Sequence, residues 1–558
     1  MSQNRLLAIL LSVLAFLVLV VGGLSAVMLL SGGGGDGGDS AGGGGGGTTT
    51  GGGGGGSGNP SQAASGRLRL ASGDPITLDP HIAGDALSAE YIVEIFGGLV
   101  TIDPDLNVIL DLAEEVDVSD DGLVYTFTIR EDARFHSGRQ VTAEDVQYSI
   151  ERATSQELSS PTGLAYLGDI VGAREHFFGL ADTVEGIEVI DERTIAFTID
   201  APKPYFLAKM TYPTAFVVDR QEVEDNPRNW TRNPNGTGPY ELAEWRLGER
   251  IVLRANPDYH LGTPLLEEAV YLLSGGSALT RWENDELDVS PISVNDIERA
   301  RDPDSDLGQA YEAWPQFTVS YLAFNTRVPP FDDPHVRRAM GMAIDRERIA
   351  NVTFFGMIQR ATGILMPQMP GYVEDDLTLP FDPDAAREEL ALSPYADDMP
   401  VIRITETGAG AEASIDMQAF IEQWRTILGL EVEINQTDFG TFLADQDSGR
   451  LQAFSAAWIM DYPDPESILD LKLHSESPLN DVGYESAEFD GFIEAARVEQ
   501  DPEERMALYG QAQEQAIEDA VWLPLYFGVS HVVVKPEVSG WFEPPIIMPR
   551  LRFIEVSR

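Results

Sequence analysis

Short alternating apolar runs and longer runs with helical spacing follow one another along this chain, with Gly, Pro, Asp and Asn at the changeovers. Residues 67–71 alternate as a strand through Leu68 and Leu70, and a GDPITLDP turn follows. Ala89, Ile92, Val93 and Phe96 then share one helical face, which Gly97-Gly98 ends. Asp121-Gly122 marks a hairpin ahead of an alternating strand over 124–130. Thr142 and Asp145 have capping-box spacing and open a helix running to residue 153. Alternating segments at 187–190 and 194–199 flank the turn Asp191-Glu192-Arg193, and a turn-rich stretch from 233 leads into strands near 245 and at 251–254. Asp333-Pro334 supply a cap and a first-turn proline for a helix with Val336, Met340, Ala343 and Ile344 on one face. Further helices are expected at 384–392, 412–428 (stopped by Gly429), 487–498 and 502–518, with strands at 431–434 and 522–527. Strands and helices mixed in this way, without a repeat period, predict α/β lobes.

One stretch stands apart: SAAWIMDYPDPESILDL, residues 455–471. A short apolar run stops at Asp461, and Pro463 and Pro465 break the extended segment before a helix that starts near Glu466. Trp458 and Asp461 are therefore expected where a strand gives way to a loop, a place where α/β domains hold ligands. Two readings of these residues stay open. One is an indole that packs on a guest beside a carboxylate that meets its cation; the other is a core Trp next to a helix-capping Asp. Phe439, Tyr462 and Tyr166 also fall at strand ends or loops, where aromatics give a cleft large contact area at low entropic cost. Core packing accounts for most of the other aromatics.

The amino-terminal end of the pattern differs from the rest. Residues 6–30 are uncharged and almost wholly apolar after Arg5, and 25 residues reach roughly 37 Å as a helix, against about 30 Å of hydrocarbon. That length favours an uncleaved transmembrane anchor, residues 1–31, over a secretory signal, with the body on the outer, extracytoplasmic face. Residues 32–66 are mostly glycine with Ser, Thr and Asp and form a flexible tether. A chain of 558 residues is too long for one small core. Its net charge of −54 repels phosphate backbones, which excludes nucleic acid as a partner. Only four cations are lysines: Lys203, Lys209, Lys472 and Lys535. The absence of cysteine excludes disulfides, thiolate metal sites, a cysteine nucleophile and a lipid-modified cysteine anchor.

No enzyme motif emerges. The seven histidines form no H-E-x-x-H, and neither G-x-S-x-G nor a P-loop occurs. DPDSDLG at 302–308 begins like a calcium loop, but its glycine is misplaced and Ala313 stands where a Glu is needed, so it reads as a solvated acidic turn. Neither a catalytic residue, a metal site nor a cofactor is expected.

Six blocks now occur in a telling order. They are ITLDPHIAGDALSAEYIVEIFGGLV (76–100), LAEEVDVSDDGLVYTFTIREDARFHSGRQVTAEDVQYSIER (112–152), NGTGPYELAEWRLGERIVLRANPDYH (235–260), LAFNTRVPPFDDPHVRRAMGMAIDRERI (322–349), WIMDYPDPES (458–467) and FDGFIEAARVEQDPEERMALYGQAQEQAIEDAVWLPLYF (489–527). From residue 74 to about residue 534 the chain resembles the family 5 extracellular solute-binding proteins, the dipeptide/oligopeptide-binding group that feeds ABC importers. The resemblance implies a two-lobe clamshell of the large peptide-binder type. Lobe I would take 67–316 and the returning end 525–558, with an inserted subdomain at about 98–205, and lobe II would take 317–524. It implies a monomeric receptor that closes by hinge bending on a peptide or other amine-bearing solute and hands it to permease subunits. Asp461 would pair with the ligand's α-amino group, Trp458 and Phe439 would supply aromatic walls beside Tyr462, and main-chain groups at Gly84, Asp85, Ala86 and Ile459 would pair with a peptide backbone. Basic residues that some oligopeptide binders offer the ligand stand here as Ser455 and Gln446, and Thr162 replaces an aromatic. Related proteins also carry oligosaccharides, opines or metal complexes. A sensory or adhesive module tethered to the membrane is the alternative of another class.

Overall fold

The computed structural model describes residues 66–408 and 413–558; the expected anchor and nearly all of the tether lie outside the described residues. Among the described residues no helix is long and apolar enough to cross a membrane.

Three larger sheets organise the rest. The first has the order Arg67–Ala71, Glu268–Leu272, Arg250–Ala255, Tyr240–Arg246. Its alternation sends Leu68, Leu70, Ala269, Tyr271, Ile251 and Leu253 into a core shared with the helix Ala86–Ile95. The second sheet is antiparallel throughout, in the order Ala113–Val118, Val124–Ile129, Thr194–Thr198, Ile187–Val189. Beside it the helix Ala143–Ala153 starts on the expected capping box, with both reciprocal hydrogen bonds between Thr142 and Asp145 formed.

The third sheet is mixed, in the order Val289–Pro291, Trp522–Val534, Tyr311–Phe324, Ala453–Ile459, Ile402–Thr407, Val432–Thr437. Its two longest strands span 14 and 13 residues and pair with two register shifts, the second between Ser320 and Tyr321. Tyr311–Pro315 face Val529–Val533, the register breaks between Pro315 and Val319, and Val319–Ala323 face Trp522–Phe527. Gly528 sits at that break, where an added Cβ would lie 3.1 Å from Thr318 Cβ. The strand expected at 522–527 thus runs on to Val534, and the strand Tyr311–Phe324 was not anticipated. Both strands change environment midway: residues 317–324 are buried throughout, whereas 311–316 are half-buried or exposed, so neither strand keeps one period.

Helices Pro334–Met342, Pro383–Ala391 and Ile415–Leu428 cover one side of this sheet, and Gly429, at φ +71°, ends the last as expected. On the other side one apolar core runs without a break from the second sheet, through Tyr166, Phe206, Met210 and Tyr212, to Phe317, Tyr462, Tyr509 and Trp522. The candidate site lies along that continuity.

Candidate functional site where two bodies meet

The strand Ala453–Ile459 ends one residue after Trp458, and the helix Glu466–Leu473 begins after Pro465. Asp461 lies in the loop between them, as its sequence context implies. Ser467, in the first turn of that helix, ties the loop to the strand: its Oγ accepts from the Asp461 amide at 3.1 Å, and its carbonyl accepts from Trp458 Nε1 at 2.9 Å. One residue therefore ties down both the backbone at Asp461 and the indole. Trp458 is half-buried, with Lys472 Nζ 5.0 Å from its ring centroid. Lys472 itself is buried on Asp481 at 2.8 Å.

Across from Asp461 stands the short helix Gly163–Leu167. Its Tyr166 is buried and stacked on Tyr212, with centroids 3.8 Å apart, and donates its hydroxyl to Asp461 Oδ2 at 2.5 Å. Burial drives the Tyr166 phenol well above the ordinary tyrosine range, so it stays a donor. Burial also pushes the Asp461 carboxyl up to about 7; Glu466 pushes the same way, while Tyr166 and Lys472 pull it back. Among the described residues no cation forms an ion pair with Asp461. It is a half-buried carboxylate with one oxygen engaged and no counter-charge in contact.

A second polar bridge crosses the same boundary. Lys209 Nζ lies 2.9 Å from Asp169 Oδ2 and 3.2 Å from Glu466 Oε1, and all three side chains are buried. Lys203 adds 2.5 Å to Asp169 Oδ1. Burial would raise Asp169, but Lys209 and Lys203 hold it down to about 2. Burial works against the Lys209 ammonium, yet Asp169 and Glu466 outweigh it and keep it above the ordinary lysine range. Glu466 moves up instead, because its burial outweighs the pull of Lys209, which Asp169 mainly claims. Further contacts join the same surfaces: Gln500 Nε2 donates to the Pro202 carbonyl at 3.1 Å, and the Arg505 guanidinium lies 5.2 Å from the Tyr205 ring.

The other sequence-derived residues spread around this centre. Ile459 is half-buried opposite Thr318. Tyr462 is wholly buried with its hydroxyl on Glu466, so it backs the loop from within the core. Phe439 is half-buried at the start of the helix Phe439–Asp447, after the edge strand of the sheet, two strands over from Trp458. Gly84 and Ala86 are exposed, and a Cβ on Gly84 would lie 3.7 Å from Thr162 Cγ2. Asp85 is buried as the N-cap of Ala86–Ile95, accepting from the Ser88 amide. Thr162 Oγ1 in turn lies 2.7 Å from Thr214 Oγ1, two residues from Tyr212, so the segment at 84–86 borders the Tyr166–Tyr212 pair. Gln446 is buried and donates to Asp481 at 2.5 Å, which turns it away from any guest.

Sequence reasoning missed Ser467, Tyr212 and the Lys209–Asp169–Glu466 bridge. The scarcity of lysine was the one signal for the bridge: of the four, Lys203, Lys209 and Lys472 are buried, against the usual exposure of that residue. An open groove of about 450 Å³ lies elsewhere, on the outer face of the first sheet among Arg67, Arg69, Arg250 and Arg254. Three of those arginines are already paired, with Glu268, Asp288 and Glu244 respectively.

Comparison with known proteins gives this geometry a context. The family described as bacterial extracellular solute-binding proteins, family 5 Middle, matches residues 107–479. Di/tripeptide-binding protein 2 of Pseudomonas aeruginosa is 30% identical over 466 residues, covering 79% of this chain and 85% of that protein. The murein tripeptide binding protein MppA of Escherichia coli superposes with a TM-score of 0.78 at 25% identity, covering 88% of this chain and 98% of that one. The unliganded open form of MppA gives 0.65 at 24% identity, with 89% and 99% covered.

Proposed function

Because the chain belongs to the bacterial extracellular solute-binding proteins of family 5, we propose that it encloses a peptide, or another small solute bearing an amine, between two lobes and delivers it to an ABC permease. Lobe I takes residues 67–316 and the end returning from 525, including the inserted subdomain at about 98–205; lobe II takes 317–524. The register break between Pro315 and Val319, with Gly528 opposite, supports a hinge where the two longest strands pass between lobes. The apolar residues 6–30 hold the receptor at the outer face of the membrane, and the glycine tract lets it range over its permease.

One observation carries the choice of guest. Asp461 is a half-buried carboxylate at the meeting of the lobes, raised to about 7 and without a paired cation among the described residues. An enclosed carboxylate is stabilised by a cation, and a peptide's α-ammonium supplies one at the right scale. Trp458 offers its indole beside it, and the exposed backbone at Gly84 and Ala86 offers strand-like pairing. Native mass spectrometry of the purified protein identifies what it carries; amine-bearing peptides are expected. Titration of that guest into Asp461→Ala should show affinity lower by about 2–5 kcal/mol, roughly 30-fold to several thousand-fold. Unchanged affinity removes Asp461 from the site.

A further inference from the structure

Asp461 is shared between a guest and the facing lobe, and the sharing has a consequence for recognition. Its Oδ2 already accepts the Tyr166 hydroxyl at 2.5 Å, a contact between residues 295 apart in sequence. Tyr166 sits on Gly163–Leu167 in lobe I, and its ring is fixed by the parallel stack on Tyr212 and by an edge contact with Tyr462, centroids 6.5 Å apart. The Asp461 side is fixed as firmly, through Ser467 Oγ on its amide.

We propose that Tyr166 is the positioning residue for amine recognition: its hydroxyl, brought from the opposite lobe, binds one oxygen of Asp461 and leaves the other for the guest's ammonium. The inference rests on the reading of Asp461 given above and deepens it. The carboxylate receives its full set of donors only when the lobes meet, so capture of the amine and closure strengthen each other. An open receptor offers Asp461 with one donor missing and holds the amine less tightly. The hydroxyl also favours the ionised carboxylate, the form an ammonium requires. The charged and titratable groups around Asp461 are Tyr166 and Tyr212 from lobe I, and Tyr462, Glu466 and Lys472 from its own lobe. None but Tyr166 donates a side-chain hydrogen bond to it.

The test uses Tyr166→Phe, which keeps the stack on Tyr212 and deletes only the hydroxyl. A random tripeptide mixture is dialysed against the wild type, Tyr166→Phe, Asp461→Asn and Asp461→Ala across the pH range of about 5 to 9, and retention is read by mass spectrometry. Tyr166→Phe should hold the mixture roughly tenfold or more less tightly near neutrality. Its retention midpoint should move to higher pH, because the ionised carboxylate has lost a donor. Asp461→Asn should show no such midpoint. A Tyr166→Phe protein that binds as the wild type does, or that is weakened equally at every pH, overturns the inference while leaving Asp461 as the ammonium site. Undiminished retention by Asp461→Ala removes Asp461 from the site, no retention by the wild type overturns the reading of the guest as a peptide, and either outcome overturns this inference. The thermal midpoint of each variant separates loss of fold from loss of contact.

Discussion

Asp461 links the chemistry of one side chain to a pH profile. Burial pushes its carboxyl up to about 7 where the facing tyrosine meets it, so below neutrality the enclosed site favours the protonated acid. An ammonium guest needs the ionised form. Binding in mild acid therefore expels a proton, and affinity falls by about tenfold for each pH unit below the midpoint. On the other side, a peptide's free α-amine loses its own proton near pH 8, about where lysine and arginine remain charged. Affinity should therefore peak at roughly pH 7–8, and calorimetry at about pH 6 in buffers of different ionisation enthalpy should count close to one proton released per guest. A flat profile from acid to neutral would contradict the assignment. At this scale the sequence was a partial guide. The W-x-x-D spacing located Trp458 and Asp461 at a strand end, but nothing local could show that Tyr166 would reach Asp461, because the two meet only through the packing of separate sheets. Nor could spacing tell that Tyr462 would be turned inward onto Glu466.

Among the elements, those governed by local rules were the legible ones. The Thr142–Asp145 box, the Asp333-Pro334 start and the Gly429 stop all depend on residues a few positions apart, and all formed as read. The long strands Tyr311–Phe324 and Trp522–Val534 escaped because each passes from one packing environment into another. Their register break is where the architecture leaves least room. Gly528→Val would place a branched side chain where even a Cβ lies 3.1 Å from Thr318 Cβ. Overpacking there should lower stability by about 1–3 kcal/mol, read as a reduced urea midpoint with an unchanged slope. A midpoint equal to that of the wild type would show that the strands part at this position more easily than the contacts imply. The loop from Asp461 to Pro465 is the counterpart on the binding side. It is short, bounded by prolines and pinned by Ser467, so it presents its carboxylate in one orientation.

At the scale of the whole molecule, one continuous apolar core and a buried ion pair join the surfaces that the proposed function assigns to two lobes. On the proposed division Lys209 falls in lobe I with Asp169, and it reaches Glu466, on the lobe II side, at 3.2 Å. Lys209→Met keeps the stem and deletes the charge, leaving Glu466 buried without its cross-lobe partner, and should favour the open state. The cysteine-free chain allows spin labels at two introduced cysteines, and Leu180 and Leu392, 78% and 64% exposed, are open positions on the two proposed lobes. Distances between them should lengthen in guest-free Lys209→Met; a distribution identical to the wild type's would show that Lys209 does not hold the lobes together. The sequence made the two-lobe class legible through its ordered blocks, whereas the contact between Tyr166 and Asp461 joins residues 295 apart and could not be read locally. The most direct measurement compares one random tripeptide mixture with its N-acetylated twin, each dialysed against the unmodified protein at about pH 7.5. The free-amine mixture should be retained and the acetylated one held at least roughly 30-fold more weakly; equal retention of the two would contradict the claim that this receptor recognises its guest by the ammonium at Asp461.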